Sequence, residues 1–406
     1  MERRVVITGL GIWSCLGTNL DEVRQSLYSG KSGIIFSQAR KDAGFRSALC
    51  ADVPKADLKK YLSRDLRKLM PEEAQYGYLA TIQAMEHAKL DQDFLDQNEV
   101  GVIYGNDSVA EATMTALDKF RQAGSTAACG SGAIFQSMNS TVTMNLATLL
   151  HLRGINLTAS AACASGSHSV GLGYLLIKDG LQDCIICGGA QEANMFSVAS
   201  FDGLMAFSTR EDEPTKASRP FDRDRDGLVP GGGAATLVLE SYEHAVKRGA
   251  PILAEIVGWG FSGNGDHIST PNVAGPTRSL ELCLKNGGIN PRDIGYINAH
   301  ATSTHAGDGR EALAIANIFG DYRVPVTSTK SQTGHEMWMA GASELIYSIL
   351  MMKNDFIGGS LNFENPDEDT ACINVIPETR EAHFDMFLSN SFGFGGTNSS
   401  LIIKNL

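Results

Sequence analysis

The chain has 406 residues, 43% of them hydrophobic and 20% charged, and carries a formal net charge of −12. This size and composition suit a globular protein of two or three core-bearing units, and the acidic balance argues against broad nucleic-acid binding, which needs a field of the opposite sign. The longest apolar runs, such as Leu345–Met352, fall well short of the ~20 residues needed to cross a bilayer, so no membrane span is expected.

Met1-Glu2-Arg3-Arg4 leads directly into a strand-like Val5–Gly9 without the apolar stretch of a secretory leader, which predicts a cytoplasmic protein. In a reducing compartment the eight scattered cysteines, at 15, 50, 129, 163, 184, 187, 283 and 372, remain thiols, and all except Cys163 read as core residues. Gly9-Leu10-Gly11 has Ser14 where a dinucleotide-binding fingerprint needs its third glycine. Lys59, Lys60, Arg64, Arg67 and Lys68 predict a basic helical face that suits an acidic partner. A second strand-like run covers Val100–Gly105.

The segment Ile155–Ser167 passes from an apolar strand through small residues into a helical pattern, with Cys163 at the junction. A thiol at the first turn of a helix faces unsatisfied N–H groups and the positive end of the helix dipole. That placement predicts a lowered pKa and a nucleophilic thiolate. The neighbours Ala161, Ala162, Ala164, Ser165 and Gly166 permit a tight turn and leave room for a bulky acyl group. Cys184-Ile185-Ile186-Cys187 has the spacing of a redox or metal pair, but it lies inside an apolar run and reads as strand core. Asp222–Gly227 begins like a calcium loop, yet Gly233 stands where the bidentate glutamate belongs.

After Ala234–Glu240 the pattern starts over near residue 250. Strand-like runs follow at Ile252–Gly258, Ile294–Asn298, Val324–Ser328, Ile373–Pro377 and Met386–Ile403. Alternation of such runs with helical patterns predicts an α/β fold. The likeness of Glu99–Asn106 to Asp293–His300 hints at two related halves, 1–250 and 251–406. Three segments just beyond strand-like runs, Asn298–Asp308, Thr329–Glu336 and Asn390–Asn398, are rich in His, Thr, Gly and Phe, and in an α/β fold such positions assemble sites. His335-Glu336 begins like a zinc-protease helix, but Met339 replaces the second histidine, so no metal site is expected.

With Cys163, His300, Lys330, His335 and the Ser391–Asn398 segment in this order, the chain resembles the β-ketoacyl-acyl-carrier-protein synthases of the thiolase superfamily, and within them the ketoacyl synthase I/II group. The likeness runs from Val5–Ile12, through residues 201–240, to the C-terminus. It implies a thiolase-like five-layered αβαβα fold of two similar halves, a dimer, and decarboxylative condensation of an acyl chain with malonyl-acyl carrier protein. Carried over by position, Cys163 is implied as the nucleophile that accepts the acyl chain, and His300 and His335 as the pair that promotes decarboxylation. The N–H groups of Cys163 and Phe394 are implied as the oxyanion hole, and Lys330 with Glu344 as a buried supporting pair. Thr302 and Thr304 match positions that bind the pantetheine arm. Phe392 and Phe394 match a hinged gate, and Arg64 and Lys68 match carrier-docking positions, with Asp65 interrupting the patch. No cofactor is required beyond the carrier's own phosphopantetheine.

Departures from the family pattern refine the expectation. Met337, Trp338 and Met339 replace a small Gly/Ala-rich run, while Ala301 and His305 replace the Gly and Pro of the usual His-Gly-Thr-Ser-Thr-Pro. Asp107 and Ser108 fall where the end of the acyl pocket meets the dimer interface, and a buried carboxylate is costly beside a saturated alkyl chain. This combination resembles ketosynthases of polyene-forming type II systems, including aryl polyene pathways, in which the active subunit pairs with a chain-length factor. Three other functions compete. A thiolase would need a second cysteine within residues 390–398, which contain none, and a chain-length factor usually lacks the nucleophile. A Cys-His hydrolase would open its thioester to water, whereas the Gly/Phe loop implies a closed acyl tunnel.

Overall fold

The computed structural model describes residues 3–406; Met1 and Glu2, where the predicted leaderless start begins, lie outside the described residues. Eleven strands form one hydrogen-bonded sheet. They are β1 (Val5–Trp13), β2 (Val100–Gly105), β3 (Asn156–Ala159), β4 (Cys184–Gln191), β5 (Gly233–Ser241), β6 (Ala254–Gly263), β7 (Tyr296–Asn298), β8 (Pro325–Thr327), β9 (Asn374–Val375), β10 (Met386–Gly393) and β11 (Thr397–Asn405). Their spatial order is β9-β8-β7-β10-β11-β6-β1-β5-β4-β2-β3. Counted within each half, the first five strands and the second set follow the same order, 3-2-4-5-1 from the outside inward, with β9 added at one edge. The directions match too: β2 is parallel to β3 and β4 as β7 is to β8 and β10, and the two inner pairings are antiparallel in both halves. The halves join through a short antiparallel ladder between Val5–Ile7 and Ala254–Ile256.

Helices pack around this repeat. α1 (Glu72–Ala88) covers the outer face of β1 and β5, and α3 (Ala274–Gly287) with α4 (His305–Phe319) covers the second half. Between the halves lie α2 (Ser165–Lys178) and α5 (Ala340–Lys353), which touch each other and strands of both halves. Because α5 is enclosed all round, every residue from Ala340 to Met352 is buried, and its polar members Ser343, Glu344 and Ser348 are hydrogen-bonded inside. Gly9 and Gly11, the failed dinucleotide motif, have a packing role instead. A Cβ on Gly9 would lie 2.2 Å from the Ala84 carbonyl, and one on Gly11 1.9 Å from that of Ala80, so glycine lets α1 sit directly on β1.

The predicted strands are all present, with Met386–Ile403 resolving into the hairpin β10–β11. Cys184 and Cys187 are strand core. Cys129 and Cys372 depart from the expected core placement and are only half-buried, and all eight cysteines are free thiols. The basic stretch is not a long helix: only Arg64–Arg67 is helical, capped by Ser63, while Lys59 and Lys60 lie in a turn. Among the described residues no helix is long and apolar enough to cross a membrane.

Candidate active site

The third strand of each half leads into one of the two central helices, and each junction carries chemistry. In the first half β3 ends at Ala159, Ala162 adopts a left-handed φ of 45°, and Cys163 follows just before α2. Ser165 braces this elbow: its Oγ donates to the Ala162 carbonyl at 2.6 Å and accepts the Ala161 N–H at 2.8 Å. Gly166 is required there, since a Cβ would lie 2.9 Å from the Trp338 carbonyl of the opposite junction.

Cys163 is 6% exposed, and burial pushes its thiol up to about 12. The expected lowered pKa is therefore corrected. Desolvation outweighs the opposing pull of Lys330 and of the Phe394 and Cys163 N–H groups that reach the sulfur. At rest the group is a neutral thiol. The two N–H groups expected as an oxyanion hole nevertheless converge at this atom, the second brought by the loop after β10.

The second junction, residues 328–339 between β8 and α5, carries Lys330 and His335, and His300 lies just after β7. The rings of His300 and His335 meet edge to face with centroids 5.3 Å apart. Burial first, then the Lys330 charge, holds both well below the ordinary histidine range, so both are neutral at pH 7. Hydrogen bonding fixes their tautomers. Met337 N–H donates to His335 Nδ1 at 3.3 Å, so the ring proton sits on Nε2, a buried atom with no partner among the described residues. Lys330 Nζ lies 3.5 Å from His300 Nδ1, which likewise leaves the His300 proton on Nε2. Lys330 also pairs with Glu344 on α5. Burial raises Glu344 to about 7 against the opposing pull of Lys330.

Cys163, His300 and His335 border one cavity of about 310 Å³, together with Thr302, Thr304, Phe392 and Phe394. Thr302 and Thr304 place their hydroxyls 3.2 Å apart. Phe394 stacks on Phe201 at 6.1 Å, and Gly395 and Gly396 after it take φ of 77° and 73°, a left-handed conformation that glycine adopts without strain. Asp107 and Ser108 do not border this cavity. Asp107 is half-buried beside the nucleophile, accepting the Ala162 N–H, and burial raises its pKa. Arg64 and Lys68 are remote from the histidines and border a surface hollow with Lys55, Lys59 and Arg67, where Lys68 pairs with Asp65 at 2.9 Å.

Two carboxylates that hold the His300 loop escaped the sequence reading. Glu311 on α4 accepts the N–H groups of His300 at 2.9 Å and Ala301 at 2.7 Å, and Asn390 donates to it at 3.0 Å. Burial brings Glu311 to about 7 despite these donors. Asp308, in the first turn of α4, reaches back to the N–H groups of Thr302, Ser303 and Thr304 and fastens Phe221 N–H at 2.9 Å. Their one sequence signal was an acidic residue on a helix face otherwise built from Ala312 and Ile315. Among the described residues no cluster of His, Cys, Asp and Glu has metal-binding geometry.

Comparison with known proteins shows the family and the fold. Residues 2–245 match the family described as Beta-ketoacyl synthase, N-terminal domain, and residues 253–364 match Beta-ketoacyl synthase, C-terminal domain. The chain is 41% identical over 405 residues to 3-oxoacyl-[acyl-carrier-protein] synthase 1 of Haemophilus influenzae, covering 99% of each. It superposes on the crystal structure of a β-ketoacyl synthase from Burkholderia phymatum with a TM-score of 0.96, 37% identity and full coverage of both chains. The ishigamide ketosynthase/chain length factor gives a TM-score of 0.91 at 31% identity, again over both full chains.

Proposed function

The chain belongs to the β-ketoacyl synthase family, and from that premise we propose how its residues divide the work of a condensing acyltransferase. The family reaction is that of a 3-oxoacyl-acyl-carrier-protein synthase in fatty acid elongation. The observation that carries the assignment of roles is the shared cavity in which the Cys163 sulfur, two fixed N–H donors and two neutral histidines meet.

In the first half-reaction the Cys163 sulfur bonds to the acyl carbonyl carbon, the bond to the phosphopantetheine sulfur breaks, and the thiol proton passes to that leaving sulfur. The N–H groups of Cys163 and Phe394 stabilise the oxyanion, and deprotonation coupled to attack suits a thiol held near 12. In the second, malonyl-carrier protein loses carbon dioxide, and the Nε2–H groups of His300 and His335 stabilise the enolate oxygen. The enolate carbon attacks the Cys163 thioester, the carbon–sulfur bond breaks, and the expelled thiolate takes a proton from solvent water. Lys330 and Glu344 hold the histidines neutral and oriented, Thr302 and Thr304 bind the pantetheine arm, and Phe392 and Phe394 gate the cavity. No resident cofactor takes part, and the catalytic pair is split between a nucleophile half, 1–250, and a histidine half, 251–406.

The acidic carrier protein docks on the hollow that contains Arg64 and Lys68, in the cytoplasm. β3 lies at the open edge of the sheet with Leu157 exposed, and Leu117, Phe120, Ile134 and Phe135 are exposed on the preceding segments. Such an edge needs a partner, here a second copy or a chain-length-factor-like subunit. A finer reading, conjugated chains as in aryl polyene synthesis over saturated ones, rests on the half-buried carboxyl of Asp107 close to Cys163, although it lies outside the lining of the cavity.

Intact mass spectrometry tests the assignment. The chain incubated with acyl-carrier protein gains the acyl mass, loses it on addition of malonyl-carrier protein, and does neither as Cys163→Ala; condensation by that variant would overturn the roles. Loading of saturated chains by the lone subunit would reject the polyene reading, and loading confined to conjugated or aryl chains supports it.

A further inference from the structure

We propose that Glu336 is a positioning residue for His335, acting through a clamp that ties the His335–Met337 turn to the central helix α5. The inference rests on the donor role given to His335 above.

Glu336 directly follows the histidine and is 1% exposed. Its Oε1 accepts the Tyr347 hydroxyl at 2.9 Å, and its Oε2 lies 2.5 Å from Ser343 Oγ, both partners on α5. Ser343 Oγ is also 3.0 Å from the Ala340 carbonyl. A hydroxyl has one proton, and it satisfies both contacts when Glu336 carries the acid proton. The carboxylic acid then donates to Ser343, Ser343 donates to Ala340, and Tyr347 donates to the acid's other oxygen. This arrangement leaves no buried group of the clamp unpaired.

The turn that the clamp holds is strained. Met337 takes φ of 46°, rare for a residue with a side chain, and its N–H donates to His335 Nδ1 at 3.3 Å. This bond selects the tautomer with the proton on Nε2. Besides this ring contact, His335 is held through its backbone, by its N–H to the Val229 carbonyl and its carbonyl to Gly231 N–H. Glu336 is therefore the side-chain anchor next to the strained residue. The titratable groups facing it are Cys15 from the end of β1, Tyr347 and Glu344 from α5, and Lys330 from the turn before His335. Burial, helped by the Glu344 charge and opposed by Lys330, raises Glu336 to about 8. Ionisation would remove the proton Ser343 accepts and loosen the clamp as pH rises.

The test separates the two half-reactions. Glu336→Ala, in the full chain, is expected to slow malonyl-carrier decarboxylation at least tenfold while acylation of Cys163 stays within threefold. Glu336→Gln reproduces the protonated acid, with an amide donor toward Ser343 and an oxygen for Tyr347. It is expected to rescue kcat to within threefold and to lack the wild-type fall in rate between pH 7 and 9. Equal loss of both half-reactions in Glu336→Ala, no loss at all, or an unchanged alkaline fall in Glu336→Gln overturns the proposal. If Glu336→Ala fails to fold, the pH profile of Glu336→Gln decides alone. His335→Ala is the control: retained decarboxylation there would reject the role of His335, and its loss beside an intact Glu336→Ala would reject the clamp only.

Discussion

The two junctions at the centre of the molecule occupy equivalent places in the two halves, each between a third strand and a central helix, yet they solve different problems. The first, residues 160–164, is short and presents one sulfur against two backbone donors. The second, residues 328–339, is longer, contains its own helical turn, and carries a lysine, a histidine and a buried acid. A repeated strand order therefore supplies two equivalent strand-to-helix junctions, which bring Cys163 and His335 to one cavity. Burial governs both. It holds the cysteine as a thiol and the histidines neutral, so each group rests in its uncharged form.

Substitution at the second junction gives the largest expected separation. His335→Ala should lower condensation by about 100-fold or more while leaving Cys163 acylation largely intact, in line with the loss of one fixed donor to a developing oxyanion. Single-turnover assays of each half-reaction check it, and equal loss of both would erase the division between the junctions. Glu311→Gln comes next. The His300 and Ala301 N–H groups go to different oxygens of the carboxylate, so in the amide one of them faces the NH2, and kcat should fall about tenfold and stability by ~1–3 kcal/mol. Urea unfolding and steady-state kinetics read both quantities.

Gly166→Ala probes the contact between the junctions. Its Cβ would press on the Trp338 carbonyl and on Ala342 N at 3.0 Å, and overpacking of this kind costs ~1–3 kcal/mol. A thermal melt unchanged from wild type would mean that the junctions do not bear on each other. The smallest effect is on pH-dependent stability. Glu336 holds a proton in the folded state up to about 8, but an unfolded glutamate has released it well below pH 7. Between pH 7 and 9 the folded state thus binds more protons than the unfolded one, and stability falls as pH rises, by about 1 kcal/mol for this group. Chemical denaturation at both pH values should show the fall in wild type and a smaller one in Glu336→Gln.

Much of this organisation is legible in the chain itself. Apolar runs closing in glycine or a small polar residue mark the strands, because a strand buried on both faces needs continuous hydrophobicity. The order of Cys163, His300, Lys330, His335 and the Gly/Phe loop marks the family, and small residues around Cys163 mark a crowded elbow. The sequence alone thus determined the fold class and the family reaction, since these depend on local pattern and residue type. The tertiary structure decided the direction of the Cys163 shift, the anchoring by Glu311 and Asp308, the clamp at Glu336, and the reduction of the basic stretch to a four-residue turn. Each of these depends on desolvation and on partners far away in the chain, such as Asn390 for Glu311 and Tyr347 for Glu336. Burial and hydrogen-bond satisfaction are sums over neighbours that only folding brings together.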